Sequence, residues 1–176
     1  MDIFIEKLVV RKRQGKDYII AALAVFGALF FSYAAFVLII NFALALLNFI
    51  VVIIAVFIFL CVRIISRQNV EFEYSLTNDE LDVDKIFARR KRKQLVTVNA
   101  RSFDIFAPTN NPLFEQEKSS AGLINIYDCS SKSKDAIPYF IVFFNADRKK
   151  SLLIFEPNQK MIDGFKRYSP NKVIEL

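Results

Sequence analysis

The feature that most constrains this chain is a run from Tyr18 to Val62 with no Asp, Glu, Lys or Arg. A helix rises about 1.5 Å per residue and the hydrocarbon core of a bilayer is about 30 Å thick, so one crossing takes roughly 20 residues. The run is too long for one crossing and fits two with a short turn. Asn41 lies near its middle and Asn48 soon after. The predicted spans cover residues 18–40 and 43–64, within a two-helix transmembrane hairpin over 18–65. Asn41 is then expected at the turn, where water satisfies its amide, and Asn48 just inside the second span, bonding across the hairpin. A secretory signal peptide does not fit, because the apolar region is far too long and no small-residue cleavage site precedes a polar start.

Flanking charge sets the expected orientation. Lys7, Arg11, Lys12, Arg13 and Lys16 precede the first span, Arg63 and Arg67 close the second, and the connection between them is uncharged. Cytoplasmic flanks are the ones enriched in Lys and Arg. The expectation is a multi-pass cell-membrane protein with both termini cytoplasmic, and the same bias is the simplest source of the net charge of +6. On the first span Ala24, Ala28 and Ser32 recur every four residues. Such a face lets helices approach closely, either against the bulky Ile50, Ile53, Ile54, Phe57 and Ile58 of the second span or between two copies in a homo-oligomer. No acidic or basic residue interrupts the run, so an ion pathway through this hairpin alone is not expected. Residues 1–17 form a cytoplasmic segment. Within 2–14, Ile3, Phe4, Leu8 and Val9 are read on one side of a helix while Glu6, Lys7, Arg11 and Arg13 lie elsewhere, which predicts a short amphipathic helix at the inner membrane surface.

After Arg67 the hydrophobic period changes from helical to alternating. Val70, Phe72 and Tyr74 alternate with Glu71, Glu73 and Ser75; a turn cluster Thr77-Asn78-Asp79 follows, and then Leu81 and Val83 alternate with Asp82 and Asp84. With Leu95–Val98 this predicts a three-stranded antiparallel meander. Residues 102–106 read either as a short strand or as a helical turn. Residues 107–122, with Pro108 and Pro112, read as a long loop. Leu123–Tyr127, Tyr139–Phe144 and Leu152–Phe155 read as strands, with a turn over Asn145–Lys149. Pro157 suits the first turn of a helix. Met161, Ile162, Phe165 and Tyr168 then form one apolar stripe, which predicts an amphipathic helix over 157–168.

The order of these elements resembles the pleckstrin-homology-like (PH-like) fold, two near-orthogonal sheets closed by a C-terminal helix. More narrowly, the chain resembles small bacterial two-span membrane proteins carrying a C-terminal PH-like domain, many of them families of unknown function. The hydrophobic hairpin, the stretch Val70–Val83 and the basic turn Arg89–Lys93 carry the resemblance. It implies an α+β chain: a transmembrane hairpin, then a PH-like β-barrel or sandwich of about six or seven antiparallel strands over residues 69–176, capped by the C-terminal helix. Lipid-binding PH domains hold inositol phosphates with basic residues after the first strand. The corresponding loop here, read as Thr77–Glu80, is acidic, so binding of that type is not implied.

Few residues suggest chemistry. Histidine is absent, which removes the commonest neutral-pH base and metal ligand. Cys61 and Cys129 are far apart, with no disulfide framework. Asp79, Glu80, Asp82 and Asp84 lack the spacing and glycine of a calcium loop. No catalytic, cofactor or metal site is expected, and the chain does not read as an enzyme. The most concentrated feature is Arg89-Arg90-Lys91-Arg92-Lys93. Beneath a bilayer it suits anionic lipid headgroups or an acidic protein partner. No aromatic platform accompanies it, so nucleic acid is not expected. The expectation is a membrane-anchored, non-enzymatic interaction module; the alternative is an accessory subunit of a transporter or channel assembled through the hairpin.

Overall fold

The structure is a computed structural model that describes residues 4–42, 44–120, 122–145 and 147–175. The chain divides into two compact units, Arg13–Asn69 and Met1–Lys12 with Val70–Leu176. The first is helical: α1 (Gly15–Phe42), a 3-10 segment (Leu44–Phe49) and α2 (Ile50–Arg67). Helix α1 starts at Gly15 because the Asp17 carboxylate accepts the Gln14 backbone N–H at 2.8 Å, closing the first turn. Asn41 lies in the last turn of α1, where its amide donates to the Val37 carbonyl at 2.8 Å. Asn48 falls in the 3-10 segment, exposed, at the start of the second apolar stretch, Leu47–Arg67. Both helices are long and apolar enough to cross a membrane. They are exposed and apolar on most sides, as lipid-facing helices are.

The second unit is a sandwich of two open four-stranded sheets. Sheet A runs in the order β1 (Phe4–Val10), β2 (Val70–Thr77), β3 (Glu80–Phe87), β4 (Lys91–Asn99). Sheet B has the order β5 (Phe103–Pro108), β7 (Tyr139–Phe144), β8 (Lys150–Phe155), β6 (Leu123–Asp128). The expected sandwich therefore holds, as two open sheets and not a closed barrel. The described residues form eight strands, not six or seven. All pairs are antiparallel except β6 with β8.

The extra strand is the N-terminal one. Residues 4–10 are not an amphipathic helix; they pair antiparallel with β2, from Phe4 opposite Thr77 to Val10 opposite Glu71. Phe4 and Leu8 share a face at either period, 3.6 or 2, so spacing alone does not separate the two. Tertiary pairing decides: Val9 joins the core at 6% exposure while Leu8, on the opposite face, is 54% exposed. The connection after the first strand is consequently the one containing α1 and α2, and Thr77–Glu80 follows the second strand. There Asn78 takes φ 52°, a left-handed conformation that asparagine tolerates.

The main core lies between the sheets. Phe106 is at its centre, with ring centroids of Tyr139, Phe155 and Phe165 at 5.3, 5.8 and 5.0 Å. A second cluster, Ala107, Phe140, Val142, Leu152 and Ile154, lies on the other face of sheet B. It is covered by Leu113 and Phe114 of a short helix α3 (Leu113–Lys118), inside the segment that reads as loop. Ion pairing of Lys150 with Glu117 at 2.6 Å ties α3 to β8. Strand β7 is thus buried on both faces, which explains its unbroken apolar run Tyr139–Phe143. The last helix, α4 (Gln159–Tyr168), starts two residues after Pro157 because Asn158 caps it, accepting the Met161 N–H at 2.9 Å. Gly164 sits inside α4, where glycine costs about 1 kcal/mol. A Cβ there would lie 2.7 Å from Leu76 Cδ2, so the glycine lets α4 approach β2. The tail joins sheet B, with Ile174 N–H donating to the Phe106 carbonyl at 2.8 Å.

Candidate functional site

The basic run forms the turn between β3 and β4. Ala88 and Arg89 both take the left-handed region, φ 51° and 56°, and the Arg90 N–H closes the turn on the Phe87 carbonyl at 3.0 Å. Each such non-glycine residue costs about 1–2 kcal/mol. The turn folds Arg89 back over the outer face of β2, where its Nε donates to Glu71 Oε1 at 2.8 Å. Arg92 pairs with Glu73 and lies 3.5 Å from Asp84 Oδ2. Burial raises the Asp84 carboxyl above its ordinary value, against the lowering effect of Arg92.

The five cations therefore divide. Arg89 and Arg92 neutralise acids of the same sheet. Arg90, Lys91 and Lys93 are exposed and, among the described residues, have no ion-pair partner. Lys93 faces Lys85 across the ladder, and the Lys85 ammonium lies 4.8 Å from the centre of the Phe87 ring. The tip thus carries uncompensated positive charge. Strand β4 is also an edge of sheet A, and lysines there oppose pairing with another chain. The acidic group is occupied internally: Asp79 binds Arg101 at 2.8 Å, and Asp82 accepts from Gln94 at 3.1 Å and from Thr97. Among the described residues no group of His, Cys, Asp and Glu is arranged to hold a metal ion.

In the helical unit Ala24, Ala28 and Ser32 are half-buried on α1. The two helices pack together, with Phe31 and Phe57 stacked at 5.9 Å. The half-buried side of α2 is Ile50, Ile53, Phe57 and Cys61.

A polar cluster in the sandwich escapes sequence reading. Buried Glu156 accepts both the backbone N–H and the hydroxyl of Ser131 at 2.7 Å. Lys12 N–H donates to the Ser131 carbonyl at 2.7 Å, and Lys7 Nζ donates to the Glu156 carbonyl at 2.8 Å. Tyr74 donates its hydroxyl to the Cys129 carbonyl at 2.6 Å. These residues pin the chain where β1 ends. The polar stretch Asp128–Ser133 was the available signal, but its partners Glu156 and Tyr74 are 25 and 55 positions away in sequence.

Burial pushes the Cys129 thiol up to about 12, and it raises the Tyr74 hydroxyl above its ordinary value. An unfolded thiol ionises near pH 8.5. Between those values the unfolded chain binds fewer protons than the folded one. The stability from this site is therefore full below about pH 8.5 and is lost as pH rises toward 12. The urea midpoint of the domain should hold between pH 7 and 8 and fall between pH 9 and 10. A midpoint that rose over the second interval would contradict the assignment. Cys129 should also resist maleimide at pH 8 until denaturant is added.

No curated protein and no solved structure matches the chain. The two-sheet sandwich with its C-terminal helix, preceded by two apolar helices, agrees with what family comparison finds. A family model described as bacterial PH-like domain (DUF6106) matches residues 1–175, and the chain belongs to that family.

Proposed function

We propose that the protein is a membrane-anchored, non-enzymatic interaction module that presents its PH-like domain at the cytoplasmic face, where the β3–β4 tip meets anionic lipid headgroups. The observation that carries this reading is the division of the basic run: Arg90, Lys91 and Lys93 remain uncompensated after Arg89 and Arg92 have paired with acids of the same sheet. Short tethers, Arg11–Gln14 before α1 and Gln68–Asn69 after α2, keep the domain concentrated at the membrane. Arg13, Lys16, Arg63 and Arg67 support the cytoplasmic side by charge bias. The alternative of an accessory transporter subunit has less to rest on, since Asn41 satisfies its amide within α1.

Each cation at an anionic surface contributes about 1 kcal/mol, so the three together contribute about 3 kcal/mol. Full-length protein in nanodiscs of phosphatidylglycerol and phosphatidylcholine, carrying photoactivatable headgroups, tests this. Crosslinks should map to residues 89–93 and be lost when Arg90, Lys91 and Lys93 become Gln. They should persist in Arg101→Gln, a charge change in the turn between β4 and β5. No headgroup crosslink at the tip would remove the lipid reading. A protein captured at the tip in native membranes, dependent on the same three residues, would make the module an adaptor.

A further inference from the structure

Strands β1 and β2 are hydrogen-bonded neighbours, yet the chain between them contains both candidate spans. Their ladder runs to Val10 opposite Glu71 and is extended by the Arg11 N–H on the Val70 carbonyl at 3.0 Å. Beyond it, in the helical unit, the Arg13 guanidinium donates to the Asn69 side chain at 2.8 Å. Lys12 is held separately by the Ser131 carbonyl.

A two-strand ladder carrying Glu6, Lys7, Glu71 and Glu73 cannot be shared between the two sides of a bilayer, because unpaired backbone groups and charges are not tolerated in hydrocarbon. Residues 10 and 71 therefore lie on one side, and the chain between them crosses an even number of times. This argument is independent of flanking charge. With two candidate helices, the crossings number two, and Asn48, at the start of the second, lies toward the opposite side.

We infer that β1 is a clasp: a strand synthesised before the membrane hairpin that finds its partner only after both spans are in place, completing the sheet and holding the ends of the hairpin together. The domain is discontinuous in sequence, residues 4–12 and 70–175, with the hairpin as an insertion in its first strand connection. The ends of the two helices cannot separate widely without unzipping β1 from β2, starting at the Val10–Glu71 pair.

This does not depend on what the basic tip binds, and two measurements on the full chain test it. Single cysteines at Lys12, Asn69 and Asn48, read with a membrane-impermeant maleimide in vesicles of both orientations, report sidedness. Positions 12 and 69 should label from the same side and 48 from the other. Labelling of 12 and 69 from opposite sides, or of 48 together with them, overturns the topology. For the clasp, Glu6 and Ser75 are directly opposite on the outer face. Facing residues in an antiparallel pair have Cα atoms about 4.5–5.5 Å apart, within disulfide reach. The double variant Glu6→Cys, Ser75→Cys should form an intramolecular disulfide on mild oxidation in membranes. Failure to crosslink, or crosslinking only between copies, overturns the clasp.

Discussion

Val9→Asn should unfold the β domain, while Leu8→Asn, one residue earlier, should leave it intact. Val9 points into the core opposite Phe72, and Leu8 points outward. Burial of a valine side chain is worth about 1.5–3 kcal/mol. An amide buried without a partner costs about 1–3 kcal/mol more. The sum, roughly 2.5–6 kcal/mol, is a large part of the 5–15 kcal/mol that holds a typical domain together. Exposed substitutions away from special features fall within about 0.5 kcal/mol. Limited proteolysis of full-length protein in membranes checks both. Residues 70–175 should become protease-sensitive in the first variant and stay resistant in the second. An interfacial helix over 2–14 predicts that both variants stay resistant, because neither change would then touch the domain.

Phe106→Ala should cost about 3–5 kcal/mol, the range for removing a fully buried aromatic ring. Four rings, those of Phe103, Tyr139, Phe155 and Phe165, surround it. They come from sheet B and α4, so no single neighbour can move in to fill the cavity. Its backbone also anchors the C-terminal tail through Ile174. Urea denaturation should show a lower midpoint with the same slope, meaning lost stability with an unchanged fold. Phe106→Leu, which keeps much of the volume, should recover more than half of the loss. A midpoint shift below about 1 kcal/mol for the alanine variant would show that Phe106 is not the centre of the core.

Several parts of the architecture were legible without coordinates. An uncharged run of that length has to find hydrocarbon or a large core, so two helices followed from Tyr18–Val62. The alternation of Val70–Ser75 with a turn at Asn78 announced a half-buried antiparallel pair, because a pleated strand sends successive side chains to opposite faces. The stripe Met161, Ile162, Phe165 and Tyr168 announced α4. The basic run was visible as composition, but its division was not. Which of five adjacent cations face acids depends on the two left-handed residues of the turn and on the register that places Glu71 and Glu73 beneath them.

The N-terminal strand marks the boundary between the two kinds of information. Local sequence determined that residues 4–10 are amphipathic, that two long apolar helices follow, and that a mostly β domain with a terminal helix comes last. It did not determine the form of those seven residues, since Phe4 and Leu8 share a face at either period. Only the tertiary structure decided it, by supplying β2 as a partner some 60 positions away across the hairpin. The same holds for the parallel β6–β8 pair, for α3 over the second core and for Glu156 beneath Ser131. The physical reason is common to all. Periodicity and turn chemistry are local free energies, whereas strand partners, covered faces and buried hydrogen bonds are settled by which distant segments satisfy backbone and side-chain groups once water is excluded.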